Sequence, residues 1–340
     1  MIRFLLLILL VLSFGCESPP LGENDTTDDN TTTPAEQYPV LWKQLDGTSG
    51  NLITSIAVML DRTGDTIVFA GTTVNGVLRS TDNGAHWRPV NYGLPSKDIV
   101  TIAVTGTTIL AMPANVSSTD GSQYGVYQSS DRGANWYVTS LDSVLVLSFG
   151  VSGSKVFAGV NEAGIFASTN SGFSWSDIGS DLIDSISGQH PDIVSFAIEG
   201  TRILSGTFGA GYFQSTDNGI HWTQHTVDGN MKVFSLAFGE SQLFAATETG
   251  IYRSTDIGGT WTYTNSGLTA ENIGIRCAIV TSGSAVVVGC NAGIFFSGDG
   301  GITWELAVVG MKNTQVLSLA VKGSTLYAGT GDGVYIGTMK

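Results

Sequence analysis

The segments STDNGAHW (Ser80–Trp87) and STDNGIHW (Ser215–Trp222) follow one pattern, Ser-x-Asp-x-Gly-x-x-Trp, which we call the octapeptide. The chain holds six copies, and the other four are SSDRGANW (129–136), STNSGFSW (168–175), STDIGGTW (254–261) and SGDGGITW (297–304). Successive copies begin 49, 39, 47, 39 and 43 residues apart. A period of this length is typical of a β-propeller with four-stranded blades.

Each residue type in the octapeptide favours a tight turn. A Ser or Asp side chain accepts hydrogen bonds from backbone N–H groups two residues on, and Gly adopts the positive φ that other residues resist. The Trp carries a large apolar surface, which we expect to pack between neighbouring blades. We therefore predict structural roles for Ser80, Asp82, Gly84, Trp87, Ser129, Asp131, Gly133, Trp136, Ser168, Asn170, Gly172, Trp175, Ser215, Asp217, Gly219, Trp222, Ser254, Asp256, Gly258, Trp261, Ser297, Asp299, Gly301 and Trp304.

The sequence between octapeptides predicts three further strands in each repeat. In the fifth repeat VFSLAF alternates as a strand should, QLFAAT and GIYRST follow after short turns, and WTYTN comes after the octapeptide. We name these strands A to D from the channel outward. The octapeptide is then the turn between strands C and D.

The two ends of the chain complement each other. Trp42 is the seventh tryptophan, and the sequence around it resembles a strand D followed by a new strand A. The last segment, 316–340, supplies strands A to C and has no octapeptide. We therefore expect an all-β, seven-bladed propeller whose N-terminal strand completes the C-terminal blade and leaves no open edge. The alternative is six blades with loose ends.

The six octapeptides resemble the Asp boxes, or BNR repeats, of sialidases, sortilin-type receptors and photosystem II assembly factors. The resemblance covers residues 38–340 and is best to the photosystem II stability/assembly factor-like propellers. It implies a non-catalytic assembly or binding factor without a cofactor, with the Asp boxes on the face away from any active site. The basic Arg patch of the photosynthetic members has no counterpart here, so a photosystem client is not implied.

The pattern of the first sixteen residues is typical of a targeting signal. Arg3 precedes the apolar run 4–14, which is too short to span a bilayer as a helix and fits a secretory signal. Gly15-Cys16 then resembles the end of a bacterial lipoprotein signal, with Cys16 as the lipidated residue; a plain signal peptide is the alternative. We expect residues 1–15 to be the signal peptide, 16–37 a disordered acidic and Thr-rich tether, and 38–340 the propeller. This organisation implies a lipid-anchored protein of the bacterial cell envelope, on the periplasmic or cell-surface side.

The charge balance argues against nucleic acid as a partner. Twenty-nine acidic and 15 basic residues give a formal net charge of −14, whereas nucleic-acid-binding surfaces are basic. In a propeller the D–A and B–C loops share one face, the top, and the A–B and C–D turns share the other. The bases predicted on the top face are Lys97, Lys232, Arg276 and Lys312. The acids predicted there are three times as many: Asp46, Asp98, Asp120, Asp142, Glu162, Asp181, Asp184, Asp192, Asp228, Glu248, Glu271 and Asp332.

Two long top-face loops are the candidate binding site. They are 113–125 and 177–192, and long loops on a rigid scaffold commonly carry binding residues. We expect an acidic top face to attract a basic protein, or alternatively to bind a glycan, and we expect a monomer. The candidate binding residues are Asp120, Tyr124, Asp181, Asp184, His190 and Asp192.

Catalytic signals are weaker. Glycoside hydrolysis needs two carboxylates flanking a cleft, and the top face could supply them, so a sialidase- or xyloglucanase-type protein remains the alternative function. The sialidase arginine triad is missing from the predicted top face, and no histidine pair has metal-ligand spacing. Cys277 and Cys290 face each other across strands A and B of blade six and could form a disulfide or stay as two buried thiols.

Overall fold

The computed structural model describes residues 40–61, 63–114, 125–268, 278–312 and 315–339. All of the regular secondary structure in these ranges is β-strand. The strands form seven four-stranded antiparallel sheets, the blades, each ordered from the inner strand A to the outer strand D. No helix in these ranges has the length and apolar character needed to cross a bilayer.

The first three blades follow one another along the chain. Blade one contains, from strand A to strand D, β2 (Ile53–Leu60), β3 (Thr66–Thr72), β4 (Val77–Ser80) and β5 (Arg88–Pro89). Blade two contains β6 (Ile99–Thr105), β7 (Thr108–Pro113), β8 (Gly125–Ser129) and β9 (Tyr137–Asp142). Blade three contains β10 (Val146–Ser152), β11 (Lys155–Val160), β12 (Gly164–Ser168) and β13 (Ser176–Asp177).

The next three blades repeat this order. Blade four contains β14 (Ile193–Glu199), β15 (Arg202–Thr207), β16 (Tyr212–Ser215) and β17 (Thr223–His225). Blade five contains β18 (Val233–Phe238), β19 (Leu243–Thr247), β20 (Ile251–Ser254) and β21 (Thr262–Tyr263). Blade six contains β22 (Ala278–Ser282), β23 (Ala285–Cys290), β24 (Gly293–Ser297) and β25 (Glu305–Leu306).

Blade seven joins the two ends of the described chain. It contains β26 (Val316–Lys322), β27 (Thr325–Thr330), β28 (Gly333–Met339) and, as its outer strand, β1 (Val40–Gln44). β1 pairs antiparallel with β28 from Val40 opposite Met339 to Gln44 opposite Tyr335. Each inner strand also contacts the inner strand of the next blade, and β26 contacts β2. The prediction of seven blades closed by the N-terminal strand is confirmed, and the six-blade alternative is wrong.

The octapeptides form the predicted turns between the third and outer strands. In the first copy Ser80 Oγ accepts the Gly84 N–H at 2.8 Å and donates to Asp82 Oδ1 at 2.7 Å, while Asp82 Oδ1 accepts the His86 N–H at 2.9 Å. The chain turns through two successive residues of positive φ, 58° at Asn83 and 94° at Gly84. Because glycine has no Cβ, it takes the second of these positions without strain.

Tryptophans connect neighbouring blades. Trp136 Nε1 donates to the backbone oxygen of Val90 in blade one at 2.7 Å, and Trp304 Nε1 donates to Thr264 O in blade five at the same distance. Trp42 is only 5% exposed and donates to Ala307 O in blade six at 2.8 Å. The expected packing of these rings between blades is therefore present, and it includes the tryptophan that closes the ring.

Several predictions fall on residues outside the described ranges. These are the signal, Cys16 and the tether, so the domain limits and the lipid anchor stay predictions. Cys290 is buried in the core between blades. Its proposed partner Cys277 lies outside the described residues, so the disulfide also stays a prediction.

Candidate binding face at the upper mouth of the channel

The top face is acidic in the part of it that the structure describes. Its loops there hold ten of the twelve predicted acids and three lysines, Lys97, Lys232 and Lys312. Most of the carboxylates are exposed, among them Asp142, Glu162 and Asp181. Of the candidate residues, Asp120 and Tyr124 lie outside the described residues.

The loop 178–192 is an ordered structure that lies over blade four. Leu182 is fully buried and packs in one cluster with Ile193 and Ala210. His190 Nδ1 lies 2.9 Å from Leu182 O, so this half-buried imidazole connects two points inside the loop. A long loop packed by its own side chains has a fixed shape on the rigid scaffold.

Asp184 has a supporting position in this loop. Its side chain is buried, and its carboxylate accepts hydrogen bonds from Ser187 N at 2.8 Å, Ile186 N at 3.3 Å and Gln224 Nε2 at 2.8 Å. Burial opposes ionisation, but these hydrogen bonds outweigh it and lower the pKa of Asp184 to about 2. The charge therefore fixes the loop onto the outer strand β17 of blade four.

Asp192 lies at the other end of the loop, directly before the inner strand β14. Its Oδ1 accepts hydrogen bonds from Asn161 Nδ2 at 2.6 Å and from the backbone N–H of Glu162 at 3.1 Å. Partial burial raises the pKa of Asp192, hydrogen bonds from Glu162 and Asn161 oppose this, and the Glu162 charge adds to the rise. The Asp192 carboxylate thus lies against the backbone of the exposed Glu162, where blades three and four meet.

The inner strands share an irregularity at their upper ends. In the six blades whose inner strand is fully described there, the register with the second strand shifts between the first and third residues. Such a β-bulge redirects a side chain. The first residue of each strand is fully buried, whereas the bulged second residue is half-buried. The bulged residues are Thr54, Val100, Leu147, Val194, Phe234 and Leu317.

Packing between blades explains the bulge. A Cβ on Gly159 of blade three would lie 2.6 Å from Ile193 Cγ2, the first inner residue of blade four. The third residue also reaches the next blade, since Ser148 Oγ donates to Ile193 O at 2.9 Å. Because the first and third residues are both held between blades, the extra second residue of blades three, four, five and seven remains at the channel. Blades one and two differ, since Thr54 Oγ1 donates to Ile99 O at 2.7 Å and Val100 packs against the core between blades two and three. We call the apolar bulged residues that lie outside the core clusters, Leu147, Val194, Phe234 and Leu317, the collar.

Sequence reasoning missed the collar and did not select Glu162 for the site. A signal for the bulge was present in the inner strands, where IVT, VLS, IVS and VFS put two apolar residues before a hydroxyl residue. Strict alternation would place only one apolar residue there. Paired apolar residues at the same point of five repeats are the signature of the bulge.

Three of the four histidines have other contacts. His86 and His221 lie 2.6 and 2.7 Å from Asp82 and Asp217 of their own octapeptides, and His225 stacks on Tyr212. Within the described ranges no group of three or more His, Cys, Asp or Glu side chains could hold a metal ion.

No protein-family model matches this chain, and no curated protein matches it. Solved propellers share its fold. YCF48 from Cyanidioschyzon merolae is 16% identical, covers 88% of this chain and 98% of its own, and has a TM-score of 0.65. A structure described as YCF48 bound to D1 peptide also gives a TM-score of 0.65, at 16% identity over 89% of this chain and 97% of its own.

Proteins of other kinds have the same architecture. The GH74 xyloglucanase from Xanthomonas campestris is 16% identical over 88% of this chain but only 53% of its own, with a TM-score of 0.60. At these identities the similarity to either kind of protein shows the fold alone.

Proposed function

We propose that this protein is a non-enzymatic binding scaffold that recognises a basic partner protein through its top face. The observation that carries the proposal is the excess of exposed carboxylates over lysines on that face, held by a closed ring of seven blades. A surface of one sign attracts oppositely charged partners and raises their rate of association.

The similarity to YCF48 supports this proposal. One YCF48 structure is described as bound to a D1 peptide, so a propeller of this size can bind a polypeptide. The xyloglucanase chain is about twice as long as the part that this protein matches. Glycan binding or hydrolysis is therefore the less supported alternative, and release of reducing sugar from polysaccharides by the purified protein would favour it.

The location belongs to the same proposal. We propose that Cys16 carries a lipid anchor and that the monomeric propeller acts at the bacterial cell envelope. Metabolic labelling with a fatty-acid analogue tests the anchor, since label should appear on the wild-type chain and not on a Cys16→Ser variant. Label that persists on the variant would contradict lipidation at Cys16.

Capture of partners from a detergent extract of cell envelopes tests the binding face. We expect the protein to retain basic proteins at low salt, and we expect E162Q/D192N to retain about fivefold less, since exposed charge pairs each contribute a fraction of a kcal/mol to about 1 kcal/mol. A matched control is E240Q/E305Q, which removes two exposed carboxylates outside the top face. Equal retention by wild type and E162Q/D192N, or retention of acidic proteins only, would contradict the proposal.

A further inference from the structure

We propose that the collar is a socket for one apolar side chain of the partner, on a segment whose flanking residues are lysine or arginine. The inference rests on the proposed function and states which kind of segment the top face accepts. It comes from the repeated bulge, which is independent of the charge count.

The collar residues lie around one axis. Each stands at the second position of an inner strand, and the inner strands contact one another in a closed ring. Four apolar side chains, on blades three, four, five and seven, thus lie at one level of the upper mouth of the channel. Leu147, Val194, Phe234 and Leu317 do not belong to the core clusters that the described residues form between blades, whereas the first residues of their strands do.

The socket extends toward blade four through a second aromatic ring. The rings of Phe208 and Phe234 lie 6.1 Å apart, and Phe208 belongs to the B–C loop of blade four. Lys232 Nζ lies 5.6 Å from the centre of the Phe208 ring and 2.9 Å from Glu248 Oε2. Because Glu248 pairs with this lysine, Lys232 leaves no net positive charge at the edge of the collar.

Carboxylates stand at the rim of the collar. Asp192 precedes the collar residue Val194 by two positions. Glu162 lies beside Asp192. An apolar centre with a carboxylate rim matches an apolar side chain between basic residues. It disfavours acidic segments and nucleic acid, because their charges would repel the rim.

Two labelled nine-residue peptides test the socket. Both consist of lysine and glycine, and they differ only at the central residue, which is leucine in one and serine in the other. Fluorescence anisotropy with the full chain should show about tenfold tighter binding of the leucine peptide, as expected for burial of most of one leucine side chain. Both peptides should bind more weakly as salt concentration rises.

Variants separate the socket from the charged rim. F234S and, as a second variant, L317S should remove most of the preference for leucine while both peptides still bind. L60S is the matched control, because Leu60 is an exposed apolar residue at the opposite end of an inner strand, and the preference should remain. E162Q/D192N should weaken both peptides alike. Circular dichroism melting confirms that each variant is folded.

The outcomes distinguish the two proposals. Equal, salt-sensitive binding of the two peptides by the wild type would overturn the socket and leave the acidic binding face intact. A leucine preference that survives in both F234S and L317S would also overturn the socket. If the wild type binds neither peptide, the socket is wrong, and retention of basic proteins in the capture experiment then decides the proposed function separately.

Discussion

At the scale of one residue, Ile257 has a strained backbone in the turn of the fifth octapeptide. It has a φ of 59° at the position of the octapeptide where Asn83 and Asn218 have 58° and 62°. A β-branched residue is a genuine outlier there, whereas asparagine tolerates the left-handed region. The turn in blade five therefore forms despite the residue at its tip.

Replacing Ile257 should stabilise the protein. Ile257→Asn relieves backbone strain of order 1 kcal/mol, and the side chain is already 40% exposed, so little packing is lost. We expect the free energy of unfolding in urea to rise by about 1 kcal/mol. Asn218→Ile is the reciprocal control and should lower it by a similar amount; no difference between the two variants would contradict the strain argument.

The octapeptide aspartates link stability to pH. The Thr260 N–H, the Ser254 hydroxyl and the Thr260 hydroxyl all donate to Asp256 and lower its pKa to about 2. The folded pKa lies below the unfolded value of about 4, so the stabilisation is complete above that pH and is lost as pH falls through the folded pKa.

We therefore expect stability to fall between about pH 5 and pH 2. The measurement is urea unfolding across this range, and Asp256→Asn should make the fall shallower because it removes one of the titrating groups. Blade three provides a natural comparison, since Asn170 makes the same turn without a charge. A slope in Asp256→Asn equal to that of the wild type would show that this carboxylate does not contribute.

At the scale of the element, the outer strand β1 depends on one side chain. Trp42 packs in the core of blades six and seven and donates to Ala307 O, whereas its neighbour Leu41 is 40% exposed. Trp42→Ala should lower the free energy of unfolding by about 3–5 kcal/mol, because a large cavity and an unpaired carbonyl remain.

Leu41→Ala is the matched control on the same strand. It should change the free energy of unfolding by about 0.5 kcal/mol or less, as is usual for exposed positions. Thermal unfolding followed by circular dichroism compares the two variants. Similar effects of the two substitutions would mean that β1 contributes through backbone pairing alone.

At the scale of the whole molecule, the ring is closed by a strand from the far end of the chain. Without β1, the strand β28 would become an unpaired edge, and such edges promote aggregation. We expect a chain that starts at residue 46 to aggregate and to lose a single sharp unfolding transition, as measured by size-exclusion chromatography and thermal unfolding. A chain that starts at residue 38 should remain monomeric.

A peptide of residues 38–45 added in trans provides a further check. It should restore the monomer of the shortened chain, because β1 pairs with β28 along its whole length. A shortened chain that is monomeric and cooperative without the peptide would show that six complete blades and an open seventh are enough.

Much of this architecture was accessible from the sequence, because its determinants are local and repeated. The octapeptide closes its turn with hydrogen bonds between residues two to four apart, so six copies of it set the period, and Trp42 with the truncated last repeat indicated the closing strand. The binding site was less accessible. Asp184 and Asp192 look alike in the sequence, yet one is buried under three donors and the other lies beside Glu162 near the collar. That difference, and the exposure of the bulged residues, arise only when each blade packs its first inner residue into its neighbour, a contact between residues far apart in the chain.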